Sequence, residues 1–132
     1  MLTQINIIEQ KLDKILSQYK SRYKRIGLST VTGIIMIHLD QLVHIKADRA
    51  YCTAYLENGK KIVISKSLGD LESRLPSTIF YRVHLSHIVN LNHIDSYEKD
   101  NGGQLIMSNT SRIPVSRRNK RKLTELLLNQ NL

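Results

Sequence analysis

The sequence predicts a mainly β domain of about ten short strands, with a short internal helix, a C-terminal helix and an N-terminal amphipathic helix in front of it. Three observations predict this class. From Ile26 to Val115 the chain is broken into short runs rich in Val, Ile, Tyr and Thr, each bounded by Gly, Asn, Asp, Ser or Pro. Apolar spacings of three and four are confined to the two ends and to one stretch near residue 70. Strands do not alternate with long helices, which excludes a doubly wound nucleotide-binding sheet as the main architecture.

In chain order, Ile5, Ile8, Leu12, Ile15 and Tyr19 recur at helical steps, with polar residues between them and no Gly or Pro before Gly27. Residues 1–25 therefore read as a linker or dimerising helix, and residues 26–132 as the domain. An isolated helix of barely two heptads is marginal in water, so its stripe needs a partner. Strands follow at about 25–30, 34–38 and 42–46, with a turn at Thr32-Gly33 and a break at Asp40-Gln41. "YCTAYLENGKKIVIS" predicts a hairpin with strands 51–56 and 61–65, because Asn58-Gly59 tolerates positive φ at both turn centres. "SKSLGDLESRL" places Leu68, Leu71 and Leu75 on one face of a short helix. Beyond Pro76 come "IFYRVHL", "HIVNL", "HIDSYEK", a Gly102-Gly103 turn, "QLIMS" and "RIPV", all short and turn-bounded. A helix from about Arg117 to Leu128 ends the chain, with Ser116 as its N-cap and Leu123, Leu126 and Leu127 as its apolar stripe.

That last helix carries the functional signal. Lys and Arg number 20 against 11 Asp and Glu, a net charge of +9, and Arg112 to Lys122 holds six cations and no acid. Arg117, Arg118, Lys120, Arg121 and Lys122 crowd the positive end of a helix dipole, where each cation costs a few tenths to about 1 kcal/mol. A polyanion would relieve that cost: nucleic acid first, an anionic surface or an acidic protein second. The plainer alternative is a solvated basic segment.

Other chemistry is poorly supported. The single cysteine, Cys52, rules out an internal disulfide and suits core packing in a reducing compartment. No apolar run reaches membrane-spanning length and no signal-peptide pattern opens the chain, so a cytoplasmic location is expected. His84 and His87 are three apart, an odd spacing that separates them on extended chain unless a turn intervenes. His38 and His44, at strand ends, are expected to be hydrogen-bonded and partly buried. Without a Cys pair, HExxH, GxSxG, P-loop or GxGxxG, neither an enzyme nor a metal or other cofactor is expected.

"FYRVHLSHIVNLNHI" (Phe80 to Ile94) followed by "GGQLIMSNTSRIPVSRRNKRKL" (Gly102 to Leu123) resembles the signature of the LytTR DNA-binding domain family. The stretch "LDQLVHIKADRAYCTAYLENGKKIVISKSLGDLESRL" resembles that family's earlier strands, hairpin and short helix, so the likeness covers roughly residues 26 to 127. The resemblance implies a sandwich of short sheets whose loops, and not a recognition helix, enter successive major grooves on one face of bent double-stranded DNA. It implies three contact segments: Asp48 and Arg49; the turn of His84, Leu85 and Ser86; and Val115 to Arg118 with Asn119 and Lys120. One residue departs from the pattern. Leu85 stands where the family usually has Arg, Lys or Asn, and a leucine can touch a thymine methyl but cannot donate to guanine or phosphate.

Within this reading, Arg117 or Arg118 can offer a fork to guanine O6 and N7, while Lys120, Arg121 and Lys122 suit phosphates. Arg82 and His84 have structural alternatives, an ion pair and a turn contact respectively, and Asn90 is expected to satisfy turn backbone. The resemblance further implies a bacterial transcription regulator acting on imperfect direct repeats, commonly as the output domain behind a phosphorylated receiver. Residues 1–25 cannot form a receiver's acidic pocket. They fit the linker that would follow one or the leader of a stand-alone regulator, and either could hold two copies together. The rival functions are a non-specific polyanion or RNA-binding module, for which no stacking cluster beyond Phe80 and six tyrosines is available, and a dock for an acidic protein.

Overall fold

The computed structural model describes residues 2–129 and, within the N-terminal helix, the side chains of residues 3–17. That helix, α1 (Leu2–Tyr23), leaves Ile5, Ile8, Leu12 and Ile15 about half exposed. The stripe expected there exists and meets nothing among the described residues. The side chain of Tyr19 lies outside them.

Ten strands follow, in three sheets. β1 (Arg25–Thr30) and β2 (Gly33–His38) form a two-stranded hairpin closed by Val31-Thr32. The central sheet has the order β5-β4-β3-β7-β6, built from β3 (Leu42–Asp48), β4 (Tyr51–Leu56), β5 (Lys61–Ile64), β6 (Phe80–His84) and β7 (His87–Asn90). The third sheet has the order β10-β9-β8, from β8 (Ile94–Glu98), β9 (Gln104–Met107) and β10 (Arg112–Pro114). All adjacent pairs are antiparallel.

Two apolar cores result, and β3 and β7 serve both. One gathers Leu28, Leu42, Ile45, Ile64, Leu71 and Ile88 among the hairpin, the central sheet and helix α2 (Leu68–Arg74). The other gathers Val43, Val83, Val89, Leu105, Met107, Ile113 and Leu123 among the central sheet, the third sheet and α3 (Lys120–Leu128). On β7 simple alternation sends Ile88 and Val89 to opposite cores. On β3 it is a bulge: Leu42 pairs with Leu56 and His44 with Tyr55, so the extra residue, Val43, turns to the second core while Leu42 and Ile45 share the first.

α2 starts where Ser67 Oγ accepts the Asp70 N–H at 3.2 Å and buries Leu68 and Leu71. Ser67→Ala is expected to cost about 1 kcal/mol of stability, read as a lower urea midpoint with an unchanged slope. Asn90 is fully buried and does what the sequence suggested: its Oδ1 accepts the Asn92 N–H at 2.9 Å and its Nδ2 donates to Leu42 O at 2.9 Å.

Three local expectations need correction. In the β4–β5 turn only Gly59 has positive φ, at 86°. Asn58 instead accepts the Lys60 N–H through Oδ1 at 2.9 Å, Gly59 N–H returns to Leu56 O at 3.0 Å and Leu56 N–H donates to Lys60 O at 2.9 Å. The strands keep about their expected bounds, and a three-residue connection, Glu57 to Gly59, takes the place of a two-residue turn. His44 is not a hydrogen-bonded strand end. It lies within β3, 4% exposed and stacked on Tyr55 at 4.3 Å, and neither ring nitrogen has a partner, while His38 is exposed. Finally, the terminal helix begins at Lys120. Arg117–Asn119 form a 3₁₀ turn, and Ser116 makes no side-chain cap because its Oγ accepts from Asn119 Nδ2 at 2.6 Å.

Candidate nucleic-acid interface

The three segments singled out in the sequence meet at one end of the central sheet. The β3–β4 turn presents Asp48 and Arg49, both exposed, with Arg49 in the left-handed region at φ 58°. The β6–β7 turn presents Leu85, 78% exposed, and half-buried Ser86. Because β3 and β7 are neighbours, Ala47 N–H donates to Ser86 O at 2.8 Å and joins the two turns. The third segment is pinned by Ser116 N–H donating to Val83 O at 2.9 Å, with Val115 buried beneath it. Three stretches separated by tens of residues thus share one backbone-bonded platform.

Side chains stiffen that platform. Arg82 Nη2 donates to Leu85 O at 2.7 Å and Nη1 pairs with Glu72 at 3.0 Å, so α2 and the β6–β7 turn are held by one guanidinium. Arg82 thus makes an ion pair with an acid, as one of its two readings expected, and holds the β6–β7 turn in place. His84 also holds the turn, accepting the Ser86 N–H on Nδ1 at 3.1 Å. Tyr81 donates to Asn119 Oδ1 at 3.4 Å, so Asn119 spans Tyr81 and Ser116 and faces inward more than Arg117 and Arg118, which are exposed. Burial raises the Tyr81 hydroxyl pKa, against the opposing pull of Arg118.

The basic run divides by function. Arg112 pairs with Glu98 at 2.8 Å on the third sheet, and Arg121 pairs with Glu125 one helical turn away at 3.3 Å. Among the described residues no acid pairs with Arg117, Arg118, Lys120 or Lys122. Lys120 lays its stem against Gly103, where a Cβ would come within 3.1 Å of its Cε, and Lys122 Nζ sits 5.7 Å from the Tyr81 ring centroid. A cleft of about 850 Å³ opens between α2, β6 and α3, lined by Glu72, Tyr81, Arg82, Leu85, Arg118 and Lys122. Glu72 and Tyr81 carried no signal in the sequence as members of this site, since their partners are fixed only when α2 and the 3₁₀ turn dock on β6.

Two histidines, His44 and His87, are buried in the sheet that carries the platform. A turn does fall between His84 and His87, bringing their rings to 5.4 Å. His87 is 7% exposed with Nδ1 unpartnered. Burial foremost, then His87 and Lys46, lowers the His44 pKa to about 4; burial, then His84 and Lys46, does the same for His87. Among the described residues no three His, Cys, Asp or Glu side chains are placed to hold a metal ion. Among the described residues no helix is long and apolar enough to cross a membrane.

Residues 32–128 match the family model described as LytTr DNA-binding domain. The chain is 35% identical over 109 residues to the heme-containing CO-sensing transcriptional regulator RcoM 2 of Paraburkholderia xenovorans, covering 80% of this chain and 40% of that protein. It is 28% identical over 122 residues to the sensory transduction protein LytT of Bacillus anthracis, covering 91% of this chain and 49% of LytT. The chain therefore spans less than half the length of these relatives. Among solved structures, a LytTr DNA-binding domain of a protein described as a methyl-accepting/DNA response regulator from Bacillus cereus superposes with a TM-score of 0.67 at 30% identity, over 78% of this chain and 95% of that one.

Proposed function

Since the chain belongs to the LytTr DNA-binding domain family, we propose that it binds double-stranded DNA sequence-specifically through its three joined turns, as the DNA-reading part of a bacterial transcription regulator. The observation that carries this reading is the convergence of Arg49, Leu85, Ser86, Arg117 and Arg118 on one platform whose nearby cations lack acidic partners. A row of phosphates supplies those partners, and the turns, being narrow and fixed, suit insertion into a groove. Arg117 and Arg118, on the exposed 3₁₀ turn, are the base readers; Lys120 and Lys122 neutralise phosphates, and Asn119 positions the turn. Direct-repeat sites follow if two copies sit side by side.

The test is selection of bound duplexes from a random pool, followed by anisotropy of the winner and a scrambled duplex at two salt concentrations. A paired motif preferred at both concentrations is expected, with a salt slope of roughly −2 to −4 if three or four phosphates are neutralised. Salt-sensitive binding without enrichment would reduce the platform to a generic polyanion site. Leu85 supplies a further prediction. Leu85→Arg adds a donor at the exposed tip of the β6–β7 turn, so affinity for the selected duplex should change by about tenfold, with altered preference at the base nearest the turn and a salt slope steeper by roughly 1.

A further inference from the structure

We infer that β2 is a self-association edge: two copies of this chain pair β2 with β2 in antiparallel fashion about a two-fold axis at Ile35. The first ground is the contrast with every other sheet edge in the domain. β10 carries Arg112 and Pro114, and β8 carries Asp95 and Glu98. β6 carries Arg82 and has its Val83 carbonyl occupied by Ser116. β5 carries Lys61 and adjoins β1 through Ser65 N–H donating to Ser29 O at 2.9 Å. Folded proteins guard their edges in these ways because bare strands recruit others. β2 has no guard. Between Arg25 and Asp40 there is no Asp, Glu, Lys or Arg.

The second ground is what the edge displays. Thr30 and Gly33 close the hairpin, so bonded pairs recur at Leu28–Ile35 and Ile26–Ile37, and the N–H and C=O of Ile34 and Met36 point away from β1. Their side chains also face outward, 71% and 52% exposed, next to Val31 at 82%. They lie across Gly27, where a Cβ would come within 3.1 Å of both Ile34 Cγ2 and Met36 Sδ, so that glycine leaves the apolar strip flat. Arg74 supports the hairpin from its other side, donating to Gly27 O at 2.9 Å.

The third ground selects the partner. A molecule of net charge +9 repels its own copy over most of its surface, and the copies can approach at the segment that carries no charge. An acidic partner would have nothing to pair with there. In the register centred on Ile35, Ile34 of each copy exchanges two backbone bonds with Met36 of the other, and the outward side chains of the two strands form one apolar ladder. The contact is isologous and closes at two copies, so it pairs molecules in opposite orientation and is an association of the DNA-free chain, separate from head-to-tail binding on direct repeats. It is smaller than a standard stable interface, so a reversible dimer is expected.

Sedimentation equilibrium of the whole chain without DNA tests this independently of the DNA-binding reading. The wild type is expected to dimerise reversibly, Ile34→Lys and Met36→Lys to weaken the dimer at least tenfold, and Ile8→Glu with Leu12→Glu on α1 to leave it. Both β2 positions are exposed, so an unchanged thermal melt should verify folding. As a second measurement, Ile35→Cys should form an intermolecular disulfide on mild oxidation, because directly opposed non-bonded residues approach closely, whereas Val31→Cys should not. A wild type that stays monomeric, a dimer lost only with the α1 substitutions, or an Ile35→Cys chain that crosslinks no faster than Val31→Cys would overturn the assignment.

Discussion

Arg117→Ala is expected to weaken binding to the selected duplex by about 1–3 kcal/mol and to relax preference at a single base position. The side chain is exposed on the 3₁₀ turn that precedes α3, with no acid beside it among the described residues. The turn itself is fixed from below by Ser116 N–H on Val83 O and by Asn119 spanning Ser116 and Tyr81. Removing the guanidinium therefore deletes a donor fork without loosening its mount, and stability should not change. Lys122→Ala is the comparison: it removes a point charge near the Tyr81 ring, so it should weaken all duplexes alike and flatten the salt slope by about 1. If Arg117→Ala binds the selected and scrambled duplexes as the wild type does, Arg117 does not read a base.

The second large effect is on acid stability. His44 and His87 are folded as neutral rings with pKa values near 4, whereas an imidazole in the unfolded chain titrates near 6.5. Because the folded pKa is the lower one, the unfolded state binds more protons as pH falls. Their contribution to stability is complete above pH 6.5 and is lost progressively between 6.5 and about 4. The two rings repel each other's charge, so the joint loss is on the order of a few kcal/mol, a large fraction of a typical domain's stability. Urea midpoints measured from pH 7 to 4 should fall across that window. His44→Phe keeps the stack on Tyr55 and removes two buried nitrogens without partners. It should raise stability at pH 7 by about 1–2 kcal/mol and shallow the acid slope. A His44→Phe chain with the wild-type slope would locate the acid sensitivity elsewhere.

Much of this molecule was legible from spacing and turn chemistry. Strands bounded by Gly, Asn and Asp, the Ser67-capped α2 and the buried Asn90 all depend on residues within a few positions of one another, and local rules reach that far. The family signature supplied the contact segments in order, but not their joining, which rests on β3 lying beside β7 and on Ser116 docking to Val83. What escaped the sequence was non-local or bistable. Asn58-Gly59 can close either a two-residue or a three-residue turn, and flanking residues do not decide between them. Ser116 is a good cap by type, yet docking turns its hydroxyl to Asn119 and moves the helix start to Lys120. His44 looks like a polar strand residue until the bulge at Val43 and the neighbouring β7 close over it. The grip of Arg82 on Glu72 and Leu85 required α2 to be placed first.

The sharing of β3 and β7 between the two cores also bears on how the domain comes apart. Val43 and Val89 belong to one apolar cluster and Leu42, Ile45 and Ile88 to the other, on the same two strands. Neither cluster can melt while the other persists, so unfolding should be a single cooperative transition despite three separate sheets. Amides along β3 and β7 should then exchange hydrogen only through global opening, while those of the N-terminal part of α1, whose Ile5, Ile8, Leu12 and Ile15 are exposed, exchange through local fraying. The turns that present Arg49 and Leu85 spring directly from these two strands. The surface proposed to contact DNA inherits the slowest-opening part of the molecule, and little conformational freedom remains there to be lost when a ligand binds.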